Sequence, residues 1–307
     1  MDDWFRPARS SGDDRWDVRI RPGDPGWSHT GLYAVTLAAG ESRAIDTGDC
    51  EFIVLPLSGP AVVEVAGQHL ELAGRAHVFA GPTDLAYVPR DSRMTITAPE
   101  GGRLAIPFAR ARAAYPVRRV AAAEVPVELR GAGASTRQVH NFGTPAVLAA
   151  DSLIACEVIT PAGNWSSYPP HKHDEDRDGV ETALEEIYYF EFRVAPEASG
   201  GGEPAGPSGG SLRGQPLGYL RNYGTDERTI DTLEEVHSGD VVLVPYGWHG
   251  PAMAPPGYDM YYLNIMAGPG DQRAWLICDD PGHAWVRDTW AGQEQDPRLP
   301  LSGSERD

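Results

Sequence analysis

The chain predicts an all-β protein built as two tandem jelly-roll barrels. Glycine (35) and proline (27) together exceed a fifth of the 307 residues, a level that suits many short strands joined by tight turns. Long amphipathic stretches with a 3.6-residue period are scarce. Two regions lay out short β-branched and aromatic runs on a similar plan. The division that follows is an N-terminal segment (1–26), a first barrel (27–115), a linker (116–136), a second barrel (137–270) and a C-terminal tail (271–307).

In the first barrel the strand candidates are Leu32–Leu37, Glu51–Leu57, Ala61–Val65, His77–Phe79, Leu85–Val88 and Met94–Thr97. Turns are expected at Ser58-Gly59-Pro60, Gly81-Pro82 and Pro89-Arg90-Asp91. In the second they are Ile154–Ile159, Ile187–Phe192, Tyr219–Asn222, Val241–Val244 and Asp259–Ile265. The stretch from Ala195 to Gly218, dominated by Gly, Pro, Ser and Ala, reads as a mobile loop between two strands. In the tail, Trp275, Trp285 and Trp290 are expected to pack on a barrel wall, with fraying after Pro300.

Composition narrows the function classes. A formal net charge of −18 repels phosphate backbones and anionic lipid, so neither nucleic acid nor a membrane surface is an expected partner. An anionic substrate would need local attraction from a metal and a few Arg or Lys. Cys50, Cys156 and Cys278 are scattered and odd in number, which favours neither a disulfide framework nor a thiolate zinc site. The start, Met1-Asp2-Asp3-Trp4, does not read as a signal peptide. No run nears the ~18 apolar residues of a membrane span. A cytoplasmic protein is expected.

The chemistry concentrates in the second barrel. His171 and His173 are two apart, so on a strand they share a face while Lys172 points away. Glu186 opens the aromatic run that continues through Tyr188 and Phe190, and alternation puts those three inward and Glu185 outward, as a solvated charge. His249 follows a β-branched run and a Pro245/Gly247 turn. Three imidazoles and one carboxylate can hold one divalent metal and, at six-coordination, leave two adjacent positions open. Zn, Mn, Fe, Ni and Co all accept such ligands. Asp174, Glu175, Asp176, Asp178 and Glu181 form an acidic loop, expected to be mostly solvated. In the first barrel His29, His69 and His77 lack the His-x-His spacing, so that half reads as metal-free and structural.

These residues resemble a known family. The ordered ligand set resembles the cupin superfamily. More narrowly, the string Trp165-Ser166-Ser167-Tyr168-Pro169-Pro170-His171-Lys172-His173-Asp174 resembles the 5-deoxy-glucuronate isomerase family of myo-inositol catabolism. So do Leu184–Tyr189, Gly239–Pro245 with Gly247 and His249, and Gly257–Pro269. Arg130–Gly133 and Thr136–Asn141 fit as well. The resemblance runs from about residue 27 to 290 and implies a two-barrel cupin. The implied reaction is isomerisation of 5-deoxy-D-glucuronate to 5-dehydro-2-deoxy-D-gluconate, with zinc as the implied metal. Two departures stand out: Phe190 where the family commonly has His, and Leu220 where it often has Gln.

Aldose–ketose conversion moves a proton from C2 to C1 through an enediol, and a Lewis acid at the carbonyl stabilises the developing oxyanion. Tyr188 and Tyr262 are candidates for the base, as is a metal-bound hydroxide. Arg137 and Arg221 are candidates for the uronate carboxylate, because a guanidinium fork matches it. His140 and Asn264 are candidates for sugar hydroxyls. An iron cupin dioxygenase and a non-catalytic sugar-acid-binding cupin are the competing readings. Jelly-roll barrels often pair through their faces, so a homo-oligomer is expected.

Overall fold

Period-two runs of β-branched and aromatic residues form the strands. They assemble into three hydrogen-bonded sheets in a computed structural model that describes residues 4–198 and 214–301. Most of the expected loop between Ala195 and Gly218, and all but the first residue after Pro300, lie outside the described residues.

One strand, Cys50–Val65, belongs to two walls of the N-terminal half. Its first part pairs with Leu85–Val88 and Gly102–Arg110, and its second part with Gln68–Arg75 and Arg93–Ala98. The expected turn at Ser58-Gly59-Pro60 is therefore a kink within a continuous strand. The register slips there, and Gly59 sits at φ +76° with a Cβ position 2.4 Å from the Gly101 carbonyl oxygen. His77–Phe79 is likewise not a strand: Val78–Ala80 is one turn of 3₁₀ helix.

In the C-terminal half, a seven-stranded sheet has Glu185–Val194 and Tyr258–Ala267 side by side near its centre. A six-stranded sheet faces it, with Trp248–Met253 between Gly218–Tyr223 and His171–Lys172. The N-terminal segment is not separate from this half, since Phe5–Arg6 pairs with Val241–Val242. Residues 116–136 contribute Arg118–Val120 to one half and Val127–Arg130 to the other.

Three apolar cores lie between the walls. Phe52, Val54, Ile106 and Phe108 fill the N-terminal half. Tyr188, Phe190, Tyr262 and Met266 fill the C-terminal half. The alternate residues of the same strands, Ile53, Leu55, Ala105, Ile187, Tyr189, Tyr261 and Leu263, form a third core between the halves. Both central sheets are thus buried on two faces, which explains why their strands read as continuous apolar runs.

Polar groups brace the central core. Glu157 accepts hydrogen bonds from Arg75 Nη1 (3.1 Å), His140 Nδ1 (3.1 Å) and the Tyr261 hydroxyl (2.6 Å). Burial raises its pKa, but Arg75 and His140 more than offset that and hold the carboxyl at about 2. Two further carboxylates clamp the halves reciprocally. Glu185 accepts from the backbone N–H of Ser28, His29 and Thr30 (2.6–3.1 Å), just before strand Thr30–Leu37. Glu51 accepts from Asp151, Ser152 and Leu153 (2.7–2.8 Å), just before Ile154–Thr160. The expectation that Glu185 is a solvated charge is corrected: its outward face is the interface between halves, where it is 8% exposed.

The Arg75–Glu157 pair is almost fully enclosed, so removing one partner strands a buried charge. Arg75→Met is expected to cost about 3 kcal/mol, and the double change Arg75→Met/Glu157→Gln less. Urea denaturation midpoints measure both; equal losses would show that the stranded charge is not the cause.

Candidate metal centre and substrate cavity

His171 and His249 are direct cross-strand partners on the outer sheet of the C-terminal half, with ring centres 4.4 Å apart. His173 follows two residues after His171 and brings its ring centre to 4.7 Å from that of His249. One ligand atom from each of the three lies within 4.8 Å of the others. Glu186 reaches them from the facing sheet, its Oε2 lying 2.9 Å from His173 Nε2 and 3.1 Å from His249 Nε2. All four side chains are buried.

Tautomers follow from the backbone. Each Nδ1 faces a carbonyl oxygen: His171 that of Pro169 (3.4 Å), His173 that of Leu184 (3.2 Å) and His249 that of Gly247 (3.3 Å). A carbonyl only accepts, so Nδ1 carries the proton and Nε2 is left with a lone pair. Two such lone pairs against one carboxylate oxygen repel unless a proton or cation lies among them. His249 Nε2 is buried and has no aligned hydrogen-bond partner despite its short approach to Glu186. The donor set therefore fits a cation, and the three-histidine cluster points to a metal.

Burial, with His249 and His173 beside it, holds the His171 pKa well below its usual value. Burial pulls His173 down too, but the Glu186 hydrogen bond overcomes it and raises that pKa. Burial would raise Glu186; His173 and His249 instead hold it at about 2. Lys172, pointing away, donates to Asp174 (2.7 Å) and Glu181 (2.9 Å). Glu181 is hence buried, and Asp174 half-buried, and both are paired rather than solvated. Asp174 also accepts from Gly247 N–H (2.9 Å), tying the loop to the turn before His249. Gly247 is needed there: at φ +85° a Cβ would fall 2.7 Å from the Tyr223 carbonyl oxygen.

Beside the cluster lies a cavity of about 230 Å³ lined by His171, Glu186, Tyr188, Tyr262, Asn264 and Arg137, among others. Tyr188 and Tyr262 flank Ser167 Oγ at 3.1 and 3.2 Å. Burial raises both phenols, Tyr188 well above its usual value and Tyr262 to about 12. Asn264 keeps its Nδ2 without a partner among the described residues. A larger cleft of about 780 Å³ opens around Arg6, His29 and Glu185; it holds none of the three histidines.

Two sequence candidates are not brought to the cavity. Arg221 points outward because Leu220 and Asn222 take the inward alternation. Its guanidinium bonds the Asn222 and Thr232 carbonyls and pairs with Asp231 (2.6 Å). His140 lies on the opposite face of its strand from Arg137 and faces Glu157 between the halves. Sequence reasoning missed Ser167, Arg130, Arg287 and Trp275 as lining residues. Ser167 and Arg130 lay within quoted motifs; Arg287 and Trp275 carry no local signal.

Fold and site together define a class: an all-β protein with a cupin-like architecture and a buried three-histidine centre. An oxalate decarboxylase from Lactobacillus farciminis has the related fold, with a TM-score of 0.61 and 10% identity over 91% of this chain and 89% of that one. The chain belongs to the KduI/IolB family, whose model matches residues 4–286. A 5-deoxy-glucuronate isomerase of Geobacillus kaustophilus (strain HTA426) is 38% identical over 291 residues, 94% of this chain and 97% of the relative. An IolB-like protein from Salmonella typhimurium LT2 has a TM-score of 0.79 and 34% identity, covering 92% of this chain and 98% of that one. The resemblance read from the motifs is borne out. No helix among the described residues is long and apolar enough to cross a membrane.

If the cluster holds a metal, Lys172→Ala retains it through gel filtration in metal-free buffer, whereas His249→Ala and Glu186→Gln lose it. Elemental analysis of the eluted protein reads the result, and retention by His249→Ala would exclude this centre.

Proposed function

We propose that this protein isomerises 5-deoxy-D-glucuronate to 5-dehydro-2-deoxy-D-gluconate, as in inositol catabolism, at a centre formed by His171, His173, His249 and Glu186. The observation that carries it is the convergence of those four side chains beside a small cavity that His171 and Glu186 line together with a buried arginine, in a chain whose relatives are named for this reaction. Zinc is the proposed metal. When bound, it supplies Lewis acidity at the substrate carbonyl.

The chain's own groups bind and orient the substrate. Arg137 faces the cavity with Nη1 on the Ser135 carbonyl (3.1 Å) and makes no ion pair with a carboxylate among the described residues. Burial lowers its pKa to about 10, and Arg130 and Arg287 push the same way. A cation so placed is stabilised by an anion, and the uronate carboxylate provides one. Tyr188 and Tyr262, whose hydroxyls meet at Ser167 Oγ beside the cavity, serve as hydrogen-bond partners of the enediol oxygens. Asn264 offers its free N–H to a sugar hydroxyl. Phe190 stacks against Tyr188 (5.9 Å, 17°) in the core behind the cavity instead of adding an imidazole.

A two-barrel division, with boundaries at 27–115 and 137–270, suits the reciprocal clamps. Glu51 and Glu185 occupy matching places, which makes Phe52 the positional counterpart of Glu186. Phe52 stacks on Phe108 (4.5 Å), an apolar counterpart that favours a metal-free first barrel.

The test is conversion of 5-deoxy-D-glucuronate in deuterated water without oxygen, followed by NMR. Conversion is expected with metal-loaded protein and not with His171→Ala, with deuterium on the carbon that was the substrate's aldehyde C1, the hydroxymethyl carbon of the product. No conversion by metal-loaded protein would overturn the assignment; turnover only with oxygen would replace it by the dioxygenase reading.

A further inference from the structure

The C-terminal segment was expected to pack its tryptophans on a wall. Trp285 does not, being 61% exposed, but the segment around it is docked on a specific place. Gly133 N–H donates to the Glu294 carbonyl (2.8 Å), Gln295 Nε2 to the Leu129 carbonyl (3.0 Å) and Asp296 N–H to Thr136 Oγ1 (3.1 Å). Asn164 Nδ2 donates to the Asp296 carboxylate (2.9 Å). These bonds stitch the segment to the stretch that carries Arg130 and Arg137. Gly133 takes φ +52° where the segment docks, a left-handed backbone that favours glycine.

Docking puts Trp290 against two guanidiniums, with its ring centre 5.6 Å from Arg137 Cζ and 5.2 Å from Arg287 Cζ. On its other flank Arg137 meets Gly131, where a Cβ would fall 2.7 Å from Nη1. A planar guanidinium held this way presents its remaining N–H groups in a fixed direction. Arg287 lines the same cavity and is held by Asp279 (2.7 Å), which lies opposite His171 in the sheet. Arg130 is held by Glu128 (2.8 Å). Three cations thus face one cavity, and two have carboxylates from the chain.

We propose that Arg287 and Trp290 complete a carboxylate subsite with Arg137, so that the docked C-terminal segment sets the demand for an acidic sugar. This deepens the uronate reading and rests on it. Arg137 takes the carboxylate as a fork, Trp290 fixes the plane of that fork, and Arg287 adds attraction from the side of the histidine centre. Trp290 is a positioning residue; it acts through Arg137.

The experiment compares KM for 5-deoxy-D-glucuronate with KM for the matching 5-deoxyhexose, which has a hydroxymethyl group in place of the carboxylate. Arg287→Gln and Trp290→Leu are expected to raise KM for the acid about tenfold or more, the scale of one charge-assisted hydrogen bond. They are expected to change kcat far less and to leave KM for the 5-deoxyhexose in place. Trp290→Phe restores most of the preference, and Arg287→Lys, the variant to use should Arg287→Gln not fold, gives an intermediate ratio. An acid-to-neutral KM ratio unchanged in every folded variant overturns the subsite while leaving the isomerase standing. Calorimetric binding of the acid to the metal-loaded protein separates the two readings. Binding that depends on Arg287 without turnover keeps the subsite and sinks the isomerase, and neither binding nor turnover sinks both.

Discussion

Glu185–Val194 and Tyr258–Ala267 have no solvent face, and that double burial governs the molecule. Every residue on these strands must choose between the core shared by the halves and the core that holds the histidines. The choice is strict because a slip of one residue exchanges the two faces completely. Glu185 and Glu186 show what hangs on it. The first accepts three backbone N–H groups of the other half, the second approaches two imidazoles. Exchanging them would leave one interior with a carboxylate lacking donors and the other with histidines lacking their fourth group.

The interface between halves is accordingly more than apolar packing. Arg75, His140 and Tyr261 all converge on Glu157, and each clamp carboxylate satisfies the N–H groups that lead into a strand of the opposite half. Buried ionic groups of this kind add little net stability over apolar isosteres but penalise any arrangement in which a partner is missing. They therefore act on the pairing of the halves, and through it on the position of the strand that carries Glu186.

At the centre itself the backbone does the positioning. Three carbonyls hold the three Nδ1 protons, so the Nε2 atoms converge before anything binds. Around them the cavity combines phenols, an amide and guanidiniums, a mixture matched to an oxygen-rich anion rather than to an apolar ligand. The C-terminal segment supplies part of that mixture from more than a hundred residues beyond the first histidine.

The sequence by itself determined the all-β class, the identity of the histidines and the inward alternation of Glu186, Tyr188 and Phe190. Those features are local: strand periodicity and a His-x-His spacing are read within a few residues. Strands interrupted by Gly or Pro, such as Cys50–Val65 and Gly102–Arg110, were harder to read, because a kink that switches sheets has the same local signature as a turn. Tertiary structure alone decided that the outward face of Glu185 is an interface, that Arg221 and His140 turn away from the cavity, that Arg287 lines it and that Trp290 lies against Arg137. Each of those outcomes depends on which surface another part of the chain covers, and alternation along one strand says only that two faces exist, not what lies against them.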